Sequence, residues 1–210
     1  MRRRATVALA LGMLVTRRPA QAQASAPARA EAARLMNELM TGKGAIGGPF
    51  ELTDQAGRHV GPAQWRGKLV LMYFGYTSCP DACPTDLSSM AAAIKALGAD
   101  GDAVQPVFVT LDPRRDTPGM LAAYVRGFNP RFVALGGSED EVRRVALQYK
   151  VFYEKVTRTG PDDYMIDHTS FTYVLDAEGR YAGYFPPGSS GDRIAEQLRA
   201  MLPAQGAHPR

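Results

Sequence analysis

The chain has 210 residues, with 25 Lys and Arg against 21 Asp and Glu, a formal charge of +4 and 45% hydrophobic residues. That apolar share excludes an intrinsically disordered chain and suffices for one core of ordinary size. The first 22 residues hold five arginines and no acid, so the remainder carries −1, and the basic excess of the whole chain is no argument for a nucleic-acid partner.

Arg2, Arg3 and Arg4 precede an apolar run over residues 5–15, and small-x-small triplets end at Ala22 and Ala24. This is the layout of a secretory signal peptide over residues 1–22, and the run is short for a bilayer span. An uncleaved membrane anchor is the alternative. An exported protein is expected in either case, soluble in the periplasm or tethered to the inner membrane, where a cysteine pair meets oxidising conditions. Residues 23–46 read as a flexible spacer with one amphipathic patch at 31–40, rich enough in apolar residues for a short helix. Gly42-Lys43-Gly44 lacks the rest of a phosphate loop. A single domain is expected over residues 47–203, with a disordered tail at 204–210 that includes His208.

Within that domain, short strands at 50–52 and 58–60 flank the turn Asp54-Gln55-Ala56-Gly57 and predict a hairpin, with His59 as an exposed strand residue. Residues 69–74 form an uncharged strand of the kind buried on both faces, and Leu87, Met90, Ala91, Ile94 and Leu97 mark the helix that follows. A second buried strand over 104–111 leads to a helix over 117–127 with Pro118 at its start. A short apolar piece at 132–135 precedes the capping box Ser138-x-x-Glu141, which opens a helix to residue 150. Alternation of this kind argues for parallel strands with crossover helices. The rhythm then changes. A strand at 152–156, a polar loop at 158–163, strands at 170–175 and 180–185 around Asp176-Ala177-Glu178-Gly179, and a last helix over 192–202 complete the chain. The expected class is α/β with a thioredoxin-like fold, a central mixed sheet flanked by helices.

The only two cysteines, Cys79 and Cys83, sit at the junction between the 69–74 strand and its helix. A helix N-terminus favours negative charge and lowers a nearby thiol pKa. The spacing is C-x-x-x-C, one residue longer than the redox C-x-x-C, and it places both sulfurs on one face of a helical turn. A disulfide closing so short a loop removes little unfolded-state entropy, so a reactive or metal-binding pair is favoured over a structural bridge. Two thiolates need a third donor, and His168, at the start of the strand expected near 170, is the candidate; on residue chemistry alone it is equally a locally hydrogen-bonded histidine. Two thiolates and an imidazole suit Cu(I) and also accept Cu(II) or Zn(II). Met165 reads as packing. Asp112 and Asp116 resemble a carboxylate pair, although an Asp-Pro turn and an Asp at a helix start have structural reasons to exist.

Four motifs in order resemble the Sco/SenC family: Gly47-Gly48-Pro49-Phe50, the run from Tyr73 through Cys79-Pro80-Asp81-x-Cys83-Pro84, Thr110-x-Asp112-Pro113-x-Arg115-Asp116-Thr117, and Asp167-His168-Thr169. The resemblance covers residues 47–202. It implies a thioredoxin-like fold with an added N-terminal hairpin, and one copper per monomer, Cu(I) or Cu(II), held by Cys79, Cys83 and His168. Asp112, Asp116 and Asp167 are secondary candidates. It further implies a metallochaperone for the dinuclear copper centre of cytochrome c oxidase subunit II, supplied by an upstream periplasmic copper donor, in a membrane-associated context and without nucleic acid. A monomer is expected. On this reading the protein is not an enzyme; the alternative is a thiol–disulfide oxidoreductase that reduces the cysteines of that centre. Against a thioredoxin stand the spacing and the absence of proline between Met165 and Tyr173. A peroxiredoxin-type peroxidase is a third and weaker reading.

Overall fold

The computed structural model describes residues 25–41, 45–160 and 163–202. The signal-peptide reading and the tail therefore lie outside the described residues. Among the described residues seven strands form one sheet. Its centre is β3 (Leu69–Gly75), every residue of which is buried, as the uncharged run predicts. It pairs in parallel with β4 (Val104–Thr110), and β4 in turn with β5 (Val133–Gly136). On its other side β3 takes β8 (Thr172–Leu175) antiparallel, and β9 (Tyr181–Phe185) completes the hairpin at that edge. The expected N-terminal hairpin is β1 (Leu52–Asp54) with β2 (His59–Val60), joined antiparallel to β5. The mixed sheet flanked by helices is the thioredoxin-like α/β architecture expected.

The helices start where side chains satisfy their free N–H groups. In α3 (Pro118–Arg126) the Met120 amide donates to Thr117 Oγ1, and in α4 (Glu139–Gln148) Ser138 and Glu141 close the capping box. Between β3 and β4 runs α2 (Ala82–Leu97), which packs against α5 (Gly191–Met201). Residues 23–46, read as a spacer, contain α1 (Ala26–Thr41), whose Leu35 and Leu39 lie one turn apart and are both buried. Glu38 of α1 pairs with Lys150 at 2.7 Å, and the Tyr184 hydroxyl donates to Met40 Sδ at 2.7 Å. Among the described residues no helix is long and apolar enough to cross a membrane.

The sequence predicts a polar loop at 158–163, but residues 158–160 and 163 are strand. β6 (Tyr153–Gly160) and β7 (Asp163–His168) form a separate two-stranded antiparallel ribbon with an irregularity between Thr157 and Gly160. Its outer part has no core to face, so hydrophobic alternation is missing, while β-branched Val156, Thr157 and Thr159 favour extended backbone. In consequence His168 ends β7 and does not begin β8.

Candidate metal centre

The site forms where β3 ends. Gly75 has no side chain because a Cβ there would lie 2.8 Å from Cys83 Sγ, so the glycine lets the first turn of α2 close onto the strand. After Tyr76 the chain turns, the Cys79 amide donating to the Tyr76 carbonyl at 3.2 Å. Cys79 lies two residues before the N-cap Asp81, outside the helix, and the two cysteines do not share a helical turn as the spacing alone predicts. The reason is a local one. Cys79 Sγ accepts the Cys83 backbone N–H at 3.5 Å and so serves the helix end as a cap oxygen would.

From the far end of the ribbon, β7 brings His168 to this junction. Its Nε2 stands 3.5 Å from Cys83 Sγ, and its Nδ1 faces the Thr169 carbonyl at 3.2 Å. In the tautomer with its proton on Nδ1, that carbonyl accepts it and the Nε2 lone pair is free for a metal ion; with the proton on Nε2, the ring donates to the sulfurs instead. The rings of Tyr76 and Tyr73 stand edge-on to the imidazole with centroids 6.1 and 6.2 Å away. Donor atoms of Cys79, Cys83 and His168 all lie within 4.8 Å of one another, the single such group among the described residues.

The two thiols hold their protons in opposite ways. Cys79 is pushed down to about 3, chiefly because the Cys83 thiol donates to it, with help from His168 and the amides of Asp81 and Cys83, and against the cost of its partial burial. Cys83 is fully buried and moves far up, because its proton is engaged by Cys79 and a second thiolate there is desolvated. Neither cysteine is in a disulfide. A cysteine of depressed pKa, a buried cysteine and an imidazole nitrogen converge on one point, a donor set that fits a soft metal ion.

The remaining sequence candidates lie around this group. Asp116 is buried and accepts from the Thr77 amide at 3.0 Å, the Thr77 hydroxyl at 2.5 Å and the Thr110 hydroxyl at 2.5 Å. Burial holds its carboxyl above the usual range in spite of these bonds. Asp112 is buried as well and accepts from the Tyr164 hydroxyl at 2.7 Å and from Arg115 Nε. Asp167 is exposed, opposite Glu154 across the ribbon and apart from the donor group. His59 is exposed and Met165 half-buried in β7.

Asp86 escaped the sequence reading. It is buried in α2, accepts the Gly188 amide at 3.0 Å, and burial raises its carboxyl. The available signal was a charge between Cys83 and Met90 on the apolar face of that helix.

A reduced cysteine pair after the central strand of a mixed sheet, faced by a histidine from the opposite ribbon, defines a thioredoxin-like protein with a Cys-Cys-His centre. The SCO1/SenC family model matches residues 38–203, most of the chain. The SCO2-like protein of Rickettsia prowazekii is 45% identical over 155 residues, covering 73% of this chain and 76% of that one. Among solved structures, Bradyrhizobium japonicum ScoI with copper bound is 39% identical with a TM-score of 0.70, over 75% of this chain and 100% of its own. Yeast Sco1 with copper bound is 32% identical with a TM-score of 0.68, over 80% and 96%. The chain belongs to the SCO1/SenC family.

Proposed function

We propose that the protein is a copper-binding metallochaperone that takes one copper ion as cargo through Cys79, Cys83 and His168 and serves the maturation of cytochrome c oxidase, at the dinuclear copper centre of subunit II. The observation that carries this reading is the convergence of two sulfurs and one imidazole nitrogen within 4.8 Å. The copper-bound ScoI and Sco1 structures, similar over three quarters or more of this chain, support it. Cys79 enters metal uptake already deprotonated, and Cys83 gives up its proton when the ion arrives. Cys79 is the half-buried sulfur and Cys83 the enclosed one, so hand-over to an acceptor thiol begins at Cys79. An exported protein fits the reading, residues 1–22 acting as signal peptide or anchor ahead of a domain at 47–203, with an upstream periplasmic donor of copper.

The test is Cu(I) competition titration of the reduced protein beside His168→Ala and Cys79→Ser/Cys83→Ser. The parent is expected to bind one ion tightly, the histidine variant to bind at least tenfold more weakly, and the double variant to lose binding. Affinity indifferent to His168 overturns the three-donor centre.

The depressed Cys79 thiol favours a second reading, a thiol–disulfide reductant for the acceptor's cysteines, with Cys79 attacking and Cys83 resolving. A Cys79–Cys83 couple far more reducing than the acceptor couple, in a protein that binds copper only weakly, decides for this alternative.

A further inference from the structure

The β6–β7 ribbon is outside the main sheet, and a two-stranded ribbon has little stability of its own. The pose of His168 therefore depends on what seats β7 against the body. Tyr164, Ile166 and His168 share one face of β7, the face turned inward, with Tyr164 and Ile166 buried. At Tyr164 a closed ring of contacts forms. Arg115 Nη1 donates to the Tyr164 carbonyl at 3.0 Å, and the guanidinium carbon lies 3.8 Å from the centroid of the Tyr164 ring. Tyr164 returns its hydroxyl to Asp112 Oδ1, whose other oxygen accepts from Arg115 Nε. The ring continues toward the cysteines: the Asp112 amide donates to Thr110 Oγ1 at 2.9 Å, Thr110 donates to Asp116, and Asp116 holds Thr77, two residues before Cys79.

We propose that Arg115 is a positioning residue for His168, a fork that clamps β7 to the loop carrying Asp112 and thereby sets the imidazole against the sulfurs; this deepens, and rests on, the proposed metal centre. Arginine is required because one side chain must hold a carboxylate, a carbonyl and an aromatic face together, which the point charge of lysine does not do. Arg115 Nη2 is buried without a hydrogen-bond partner among the described residues, a cost that the other contacts of the guanidinium offset.

The experiment compares Arg115→Lys and Tyr164→Phe, each in the parent and in the His168→Ala background, by Cu(I) competition and by hydrogen exchange of the metal-free protein. Tyr164→Phe keeps the ring beneath the guanidinium, removes only the hydroxyl bond, and serves if the lysine variant fails to fold. Faster exchange at the amides of residues 164–168 is expected, with Cu(I) affinity about tenfold lower in the parent background and unchanged in the His168→Ala background, because the effect passes through the histidine. Equal loss of affinity in both backgrounds, or unaltered exchange in β7, overturns the proposal. If the parent's affinity is indifferent to His168, the metal reading has failed, and the exchange data alone still decide whether the clamp seats β7.

Discussion

Cys79 and Cys83 are chemically identical and four residues apart, yet the fold makes one an anion and the other a proton donor. The difference lies in burial and in direction: Cys79 faces amides and a thiol hydrogen, whereas Cys83 is enclosed against Gly75 and Tyr73. Cys83→Ala removes the largest cause of the Cys79 depression, so the midpoint of Cys79 ionisation is expected to climb well above about 3, followed by thiolate absorbance during titration. Cys83→Ser keeps a hydroxyl donor and is expected to move it less. A midpoint unchanged in Cys83→Ala would assign the depression to His168 and the amides of Asp81 and Cys83. His168 illustrates how much of the centre was legible at this scale. Residue chemistry left it undecided between metal donor and local hydrogen bonding, and the structure places Nδ1 at a carbonyl and Nε2 beside a sulfur, a geometry compatible with either role.

At the scale of elements, legibility follows the core. β3, β4, α3 and α4 announced themselves through uncharged runs or caps, since burial on both faces and free N–H groups leave marks in composition. The outer part of the β6–β7 ribbon left none, because its residues face water and its order comes from cross-strand backbone pairing. α1 left only a weak mark, four apolar residues in a segment rich in alanine. Its seat depends on Leu35 and Leu39 and on the Glu38–Lys150 pair. Leu39→Ala is expected to cost about 2–3 kcal/mol in urea unfolding with an unchanged m-value, as for other buried leucines. A loss below about 0.5 kcal/mol, the level of a surface substitution, would mean that the helix contributes nothing to the fold.

For the whole molecule the cysteine pair links stability to pH in two directions. Cys79 is deprotonated in the folded protein where the unfolded thiol, near 9.0, still holds its proton, so its contribution is complete above 9.0 and fades as pH falls toward about 3. Cys83 does the reverse: it keeps its proton where the unfolded chain has lost one, and its contribution is lost as pH rises beyond 9.0. Subtracting the Cys79→Ser/Cys83→Ser variant from the reduced parent should therefore leave a stability difference that rises through neutral pH and declines in strong alkali. A flat difference from pH 4 to 8 would contradict the thiolate assignment.

By itself the sequence determined the class and order of the fold, the junction that holds both cysteines, and the family. Those features are local: hydrophobic period, capping residues and contiguous motifs are written within a few positions of one another. Tertiary structure decided what joins distant segments. It brought His168 across 85 positions to Cys83, fastened Asp116 to Thr77 and Tyr164 to Asp112, and divided the two thiols into anion and donor. Distances of that kind depend on how the ribbon seats against the sheet, and proton affinities depend on which dipoles converge on a buried atom. Neither quantity is a property of any short stretch of chain.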